Sequence, residues 1–182
     1  MAPLTMALAL LLTGAQASDP CAAPEACRRV DTITIDRPGS GTRAIAVNDT
    51  LPWVVQDNIL LLPGESVTVA LDRRGDALVP RLVRGAAGEG APAPGAGEIR
   101  FTLGRGPTGG TLLRVESRYR ETIDYAALMV LEPGGPRRTS VCSLQSGVAA
   151  NELWSDPIRQ LAIWSFRPTR EPGCKTISFP AR

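Results

Sequence analysis

Hydrophobic and polar residues alternate with a period of two along most of this chain. Val67, Val69 and Leu71, for example, are separated by single small or hydroxyl-bearing residues. This alternation, rich in β-branched residues, is typical of strands with one buried face. It predicts strands at residues 30–36, 43–48, 59–62, 67–71, 77–84, 98–103, 111–118, 122–131, 139–144, 160–167 and 175–179. Strands at hairpin spacing, without intervening helices, indicate an all-β chain built as a two-sheet antiparallel β-sandwich.

Three segments depart from this regular pattern. Pro80 interrupts the strand at residues 77–84, which predicts that this strand lies at a sheet edge. Residues 85–97 contain only Gly, Ala, Pro and Glu, so we expect a flexible loop there. Residues 146–156 show no clear period and predict either a short helix or an ordered loop.

One stretch resembles a known family of sandwiches. Residues 62–69 combine an apolar strand end, a Pro-Gly turn and an alternating Val/Thr strand, and a strand ending in Asn48 precedes them. This succession resembles bacterial immunoglobulin-like domains. The resemblance implies an immunoglobulin-like architecture and implies no function.

The N-terminus predicts export. An apolar run at residues 4–12 is followed by Ala15-Gln16-Ala17, a site of the kind that signal peptidase cleaves. A buried N-terminal helix or an uncleaved anchor are the alternatives. We therefore expect a signal peptide at residues 1–17, a disulfide-pinned segment at 18–29 and one β-sandwich domain at 30–182. The export signal predicts a periplasmic or extracellular location. No later segment is apolar enough to predict a membrane span.

Four cysteines in an exported chain predict two disulfides. Four cysteines allow three pairings, of which we favour Cys21 with Cys27 and Cys142 with Cys174. The first pair would close a short loop near the new N-terminus. The second would connect the last strands of the domain.

The chain contains no histidine, which excludes Ser-His-Asp and Cys-His catalysis. The formal net charge is only +2, and the sequence contains no stripe of basic residues. We therefore expect no nucleic-acid partner. We also expect no metal, no cofactor and no enzymatic activity. A carboxylate-dependent hydrolase is a remote alternative. Its candidate residues are Asp49, Asp57, Glu65, Glu116, Asp124, Glu152 and Asp156.

Tryptophans are the candidate contact residues. Trp53 and Trp154 lie in less regular segments, where an exposed ring could contact a partner protein or stack on a sugar. The alternative is that each ring fills an end of the sandwich. Trp164 and Tyr125 lie on alternating strands, which predicts that both are core residues.

These observations favour an exported, non-enzymatic β-sandwich that binds a protein partner of unknown identity in the cell envelope, as an accessory or assembly factor. Sandwich edges can accept a strand from such a partner. A glycan-binding module is the alternative function.

Overall fold

The computed structural model describes residues 19–37, 39, 41–88 and 90–175. They form one 3-10 helix, Pro24–Ala26, and fourteen strands. The strands are β1 Cys27–Arg37, β2 Gly41–Pro52, β3 Val54–Val55, β4 Asn58–Leu61, β5 Glu65–Arg74, β6 Ala77–Ala87, β7 Glu98–Arg105, β8 Thr111–Ser117, β9 Ile123–Leu131, β10 Pro136–Thr139, β11 Val141–Cys142, β12 Ala149–Trp154, β13 Ile158–Pro168 and β14 Cys174–Lys175. The predicted signal peptide lies outside the described residues.

Two antiparallel sheets pack together as a β-sandwich, which confirms the predicted fold class. The first sheet contains β3, β4, β13, β9 and β10, in that order. The second contains β6, β5, β7, β8 and β12. One residue pair, Phe166 with Leu78, connects the two sheets. The immunoglobulin-like detail stays a prediction from the sequence.

The core lies between the inner faces of these sheets. Alternate residues of β5, β7 and β8 are buried there, as the period of two predicts. The rings of Phe101, Tyr125 and Phe166 meet at its centre, with centroids 6.0–6.2 Å apart. Aromatic contacts of this kind add to the stabilisation from buried apolar area.

An irregularity in β13 moves Phe166 into the core. Strict alternation after Leu161 and Ile163 would point Ser165 inward and Phe166 outward. Ser165 instead has a φ of +59°, and the pairing of β13 with β9 shifts between Trp164 and Arg167. Phe166 is therefore 1% exposed, whereas Trp164 is only half-buried. The prediction of a core position is confirmed for Tyr125 and is wrong for Trp164.

Strands β1 and β2 form a separate two-stranded hairpin with its own small core. Val30, Ile33 and Ile35 on β1 pack with Leu62, which follows β4. Near the tip of the hairpin, Asp36 forms an ion pair of 2.7 Å with Arg105 at the end of β7. The hairpin is thus attached to the sandwich both by apolar contacts and by ion pairs.

The base of this hairpin is fixed by a buried ion pair between Arg28 and Glu65. Arg28 donates to both carboxylate oxygens of Glu65, at 2.8 and 2.6 Å, and their side chains are only 11% and 9% exposed. The same guanidinium donates to the carbonyl oxygens of Leu51, Pro52 and Leu60. One side chain therefore connects β1, the end of β2, β4 and the start of β5.

Trp53 completes this cluster. Its ring lies under the Arg28 guanidinium, with the Arg28 Cζ atom 4.1 Å from the ring centroid, a cation–π geometry. The ring also lies directly over the backbone of Gly85 in β6, where any added Cβ would overlap it. Gly85 is therefore required by the position of Trp53.

Several local predictions differ from the structure. Residues 146–156 contain neither a helix nor only a loop, because Ala149–Trp154 form strand β12. Residues 85–87, expected in the flexible loop, continue β6 instead. The predicted final strand at residues 175–179 overlaps β14 at Lys175 alone, and residues 176–179 lie outside the described residues.

The position of β6 agrees with the edge location that Pro80 predicts. β6 pairs with β5 along its length but meets β13 at a single residue pair. Along most of its other side, including the position of Pro80, β6 pairs with no described strand. A residue without an N–H is tolerated at such an edge.

We predict that Arg28→Ala lowers the free energy of unfolding by about 3–5 kcal/mol, because it leaves the Glu65 carboxylate buried without its partner. Arg29→Ala is the matched control. Arg29 and its partner Asp31 are 61% and 72% exposed, so we expect a loss below about 1 kcal/mol. Denaturant unfolding with the disulfides intact measures both. Equal losses would contradict the central role of Arg28.

We predict that Gly85→Ala lowers the free energy of unfolding by about 1–3 kcal/mol, because the new methyl group displaces the Trp53 ring. The tryptophan emission spectrum should change with it. Gly135→Ala is the control, since a Cβ there meets no atom within 4 Å, and we expect no loss of stability. An unchanged Gly85→Ala protein would show that Trp53 lies elsewhere.

Candidate functional site

Strand β12 is the outermost strand of the second sheet and the centre of the candidate site. It pairs with β8 from Ala149 opposite Glu116 to Trp154 opposite Thr111. No described strand pairs with its other side. An edge of this kind presents unpaired backbone N–H and C=O groups that can hydrogen-bond to another chain. We call this open side of Ala149–Trp154 the β12 edge.

Two large apolar side chains are exposed at the β12 edge. Val148, just before the strand, is 51% exposed, and Leu153 is 53% exposed. Among the described residues, Val83 at 37% is the other large hydrophobic with comparable exposure. Leu153 lies close over Gly106, where an added Cβ would be 2.6 Å from its Cδ1 atom. The β12 edge therefore combines open backbone with exposed apolar surface.

The inward face of β12 carries a charge. Ala150, Glu152 and Trp154 point toward the other sheet, and the two apolar residues pack against the core. The Glu152 side chain crosses to β11, where its Oε1 accepts a hydrogen bond of 2.7 Å from the Cys142 N–H. Burial raises the pKa of Glu152, and this hydrogen bond lowers it by less. Glu152 forms no ion pair with a described residue.

A second polar group lies in the interior near Glu152. The Tyr125 hydroxyl is buried and has no hydrogen-bond partner among the described residues. Burial raises the pKa of Tyr125, and the negative charge of Glu152 raises it further. The Tyr125 hydroxyl and the Glu152 carboxylate are therefore two polar groups close enough to interact electrostatically on the inner side of β12.

A cleft of about 500 Å³ lies at the start of the β12 edge. Its walls come from two segments, the loop at residues 93–96 and the approach to β12 at residues 146–149, with Glu116 and Arg118 between them. The loop is held against the sheet by its own carbonyl groups. Ala91 accepts from Arg100, and Ala93 accepts from Arg84 at 3.2 Å. Part of the stretch that we expected to be a flexible loop therefore forms a wall of this cleft.

The floor of the cleft contains a paired carboxylate. Glu116 on β8 accepts hydrogen bonds from Arg100, which lies directly opposite on β7, and from Arg114 at 3.0 Å. Burial acts to raise the pKa of Glu116, but the two guanidinium groups outweigh it and hold the pKa below its usual value. Glu116 and Glu152 lie on neighbouring strands and have opposite pKa shifts.

The structure buries one of the two predicted contact tryptophans. Trp53 is 4% exposed and belongs to the core, so its ring has no free face for a sugar or a partner. Trp154 is half-buried, packs against the core and lies at the end of β12. The contact role of Trp154 stays a prediction.

The four cysteines are paired as we favoured. Cys21 is bonded to Cys27 beside the 3-10 helix, and Cys142 is bonded to Cys174. The second bridge joins β11 to β14 with Cα atoms 3.8 Å apart. Two disulfides are compatible with an exported protein.

No group of three His, Cys, Asp or Glu residues with metal-binding geometry exists in the described part of the chain. No helix within the described ranges is long and apolar enough to cross a membrane. Sequence reasoning named Glu152 only as a generic carboxylate, and it did not detect the strand that carries it.

Comparison with protein-family models, curated proteins and solved structures found no match to this chain.

We predict that Glu152→Gln and Glu116→Gln change the melting temperature at pH 7 in opposite directions. Because the pKa of folded Glu152 is raised, the free energy of unfolding falls as the pH rises from the usual glutamate value through the raised one. Glu152→Gln removes this loss while keeping an acceptor for the Cys142 N–H, so it should raise the melting temperature at pH 7. Above the usual glutamate pKa, the melting temperature of this variant should depend less on pH than that of the wild type.

Glu116→Gln should lower the melting temperature at pH 7. Its lowered pKa gives stabilisation that is present above the usual glutamate pKa and is lost as the pH falls through the lowered value. The variant should therefore melt earlier at pH 7 and be less sensitive to acid. Thermal melts from pH 3 to pH 8 test both variants. Shifts of the same sign at pH 7 would contradict the assigned environments.

Proposed function

We propose that this protein is exported and binds a protein partner in the cell envelope by adding an extended strand of that partner to the β12 edge. The observation that carries the proposal is the open side of β12 together with the exposed Val148 and Leu153. Added strands gain affinity from main-chain hydrogen bonds and specificity from the side chains they meet.

Other open edges support this function less well. β10 is short, begins with Pro136 and exposes Arg137 and Arg138, which are the features that protect an edge from pairing. β2 exposes small and polar residues along its length, and its pairing with β1 is irregular opposite Val30. β12 is a six-residue strand that combines free backbone with exposed apolar side chains.

The cleft at the start of β12 shares only part of its lining with the β12 edge, because Val148 and Ala149 belong to both. Its other lining residues come from the end of β8 and from the loop at residues 93–96, so the cleft extends toward β8, the strand with which β12 is paired. A non-catalytic role agrees with a chain that has no histidine to transfer protons near neutral pH.

We predict that a photo-crosslinking residue at Asn151, exposed on β12, captures a specific protein in the producing cell. The same residue at Arg81, exposed on the opposite edge of the sheet, is the control and should not capture it. The double variant Val148→Ser/Leu153→Ser should reduce capture at Asn151 by roughly tenfold, because it removes the apolar contacts. Mass spectrometry of the crosslinked peptide identifies the partner strand.

Val83→Ser is the matched control for the loss of exposed apolar surface, since Val83 is exposed on β6. It should leave capture unchanged. Substitutions at exposed positions change stability little, so both variants should remain folded. Equal capture at Asn151 and Arg81, no capture at either, or full capture by the double serine variant would refute the proposed function.

A further inference from the structure

Glu152 lies where a strand added to β12 would cover it. It faces inward on the outermost strand, between Ala150 and Trp154. Its Oε1 atom is occupied by the Cys142 N–H, whereas Oε2 accepts no hydrogen bond from a described residue. By contrast, the buried Glu65 and the half-buried Glu116 each bind a guanidinium. Glu152 is thus a half-buried carboxylate with no cation on the described part of the chain.

Strand geometry determines which partner atoms reach this carboxylate. Residues directly opposite each other on paired strands have Cβ atoms about 4.5–5.5 Å apart. The partner residue opposite Glu152 would therefore point inward beside it. The partner residues two positions away on either side would meet Ala150 and Trp154, which are apolar.

Once an added strand covers Glu152, the partner residue opposite Glu152 determines how favourable binding is. A strand that placed an apolar residue there would remove water from the carboxylate and supply no replacement, which is costly. An acidic residue would add repulsion. A lysine or arginine would replace the lost water with a charge-assisted hydrogen bond to Oε2.

We propose that Glu152 determines the specificity of the β12 edge, and that the edge takes an extended segment of another protein with a lysine or arginine opposite Glu152, flanked by apolar residues at alternate positions. This inference rests on the proposed function. The observation that supports it is the Glu152 carboxylate itself, which has no counter-ion among the described residues and whose Oε2 accepts no hydrogen bond from them.

A competing explanation is that Glu152 only protects the edge. Inward-pointing charges on edge strands discourage aggregation. In that case Glu152 would reduce self-association and would have no preference among partner side chains. The two explanations differ in how the partner responds to a change of charge.

The test uses the full-length protein with the photo-crosslinking residue at Asn151, in three forms: wild type, Glu152→Gln and Glu152→Lys. Glu152→Gln keeps the hydrogen bond from Cys142 and should be at least as stable as wild type, so it remains informative if Glu152→Lys does not fold. We expect roughly tenfold weaker capture with Glu152→Gln, the loss of one charge-assisted hydrogen bond, and a larger loss with Glu152→Lys. Asp72→Asn is the matched control, since Asp72 is an exposed carboxylate on β5, and it should leave capture unchanged.

Two further results test the inference: the sequence of the crosslinked partner segment, and an exchange of charge between Glu152 and the basic residue of that segment. We expect the crosslinked peptide to contain a lysine or arginine within one or two residues of the crosslink. Changing that residue to glutamate should abolish capture by wild type and restore it with Glu152→Lys. If a partner is captured but its yield is the same with Glu152→Gln, or if the segment carries no basic residue, this inference is wrong and the proposed function stands. If the segment comes from a second copy of this chain, the proposed partner is wrong. If nothing is captured, both proposals fail.

Discussion

The fold depends on the buried ion pair between Arg28 and Glu65. Burying two charges is costly, and the structure offsets that cost with bidentate geometry, three carbonyl acceptors and the face of Trp53. These partners belong to β1, β2, β4 and β5, so the contacts form only when the hairpin and the sandwich are both in place. Gly85 extends the same constraint to β6, because only a residue without a Cβ leaves room for the ring.

Other carboxylates that are partly removed from solvent are also paired with a cation, with one exception among the described residues. On the outer face of the second sheet, Glu98 and Glu116 are paired with Arg84 and Arg100, and the carboxylates hold their neighbours in register. Glu152 breaks this rule on the inner face. A position that departs from the rule followed by its surroundings, without a compensating contact, is where a functional role is expected.

The sequence was a good guide to the sandwich and a poor guide to the candidate site, for physical reasons. The strands around Val67, Phe101 and Leu113 bury one apolar face, so their period of two is easy to detect. β12 buries only Ala150 and Trp154 on either side of a charge, so it has no apolar period. The shift of Phe166 depends on a bulge at Ser165, which no pattern of residue types announces. The disulfide pairing was predictable because each pair lies close in sequence or joins neighbouring strands.

Edge protection and partner recognition by Glu152 are physically compatible. An open strand with exposed Leu153 would pair with many apolar strands if nothing opposed them. An inward carboxylate opposes all of them by the same desolvation cost, and a partner that brings a cation avoids that cost. Specificity is a difference between affinities, and a residue that penalises wrong partners contributes as much as one that attracts the right partner. One half-buried charge on an edge strand can therefore both discourage unspecific strand pairing and favour a strand that brings a cation.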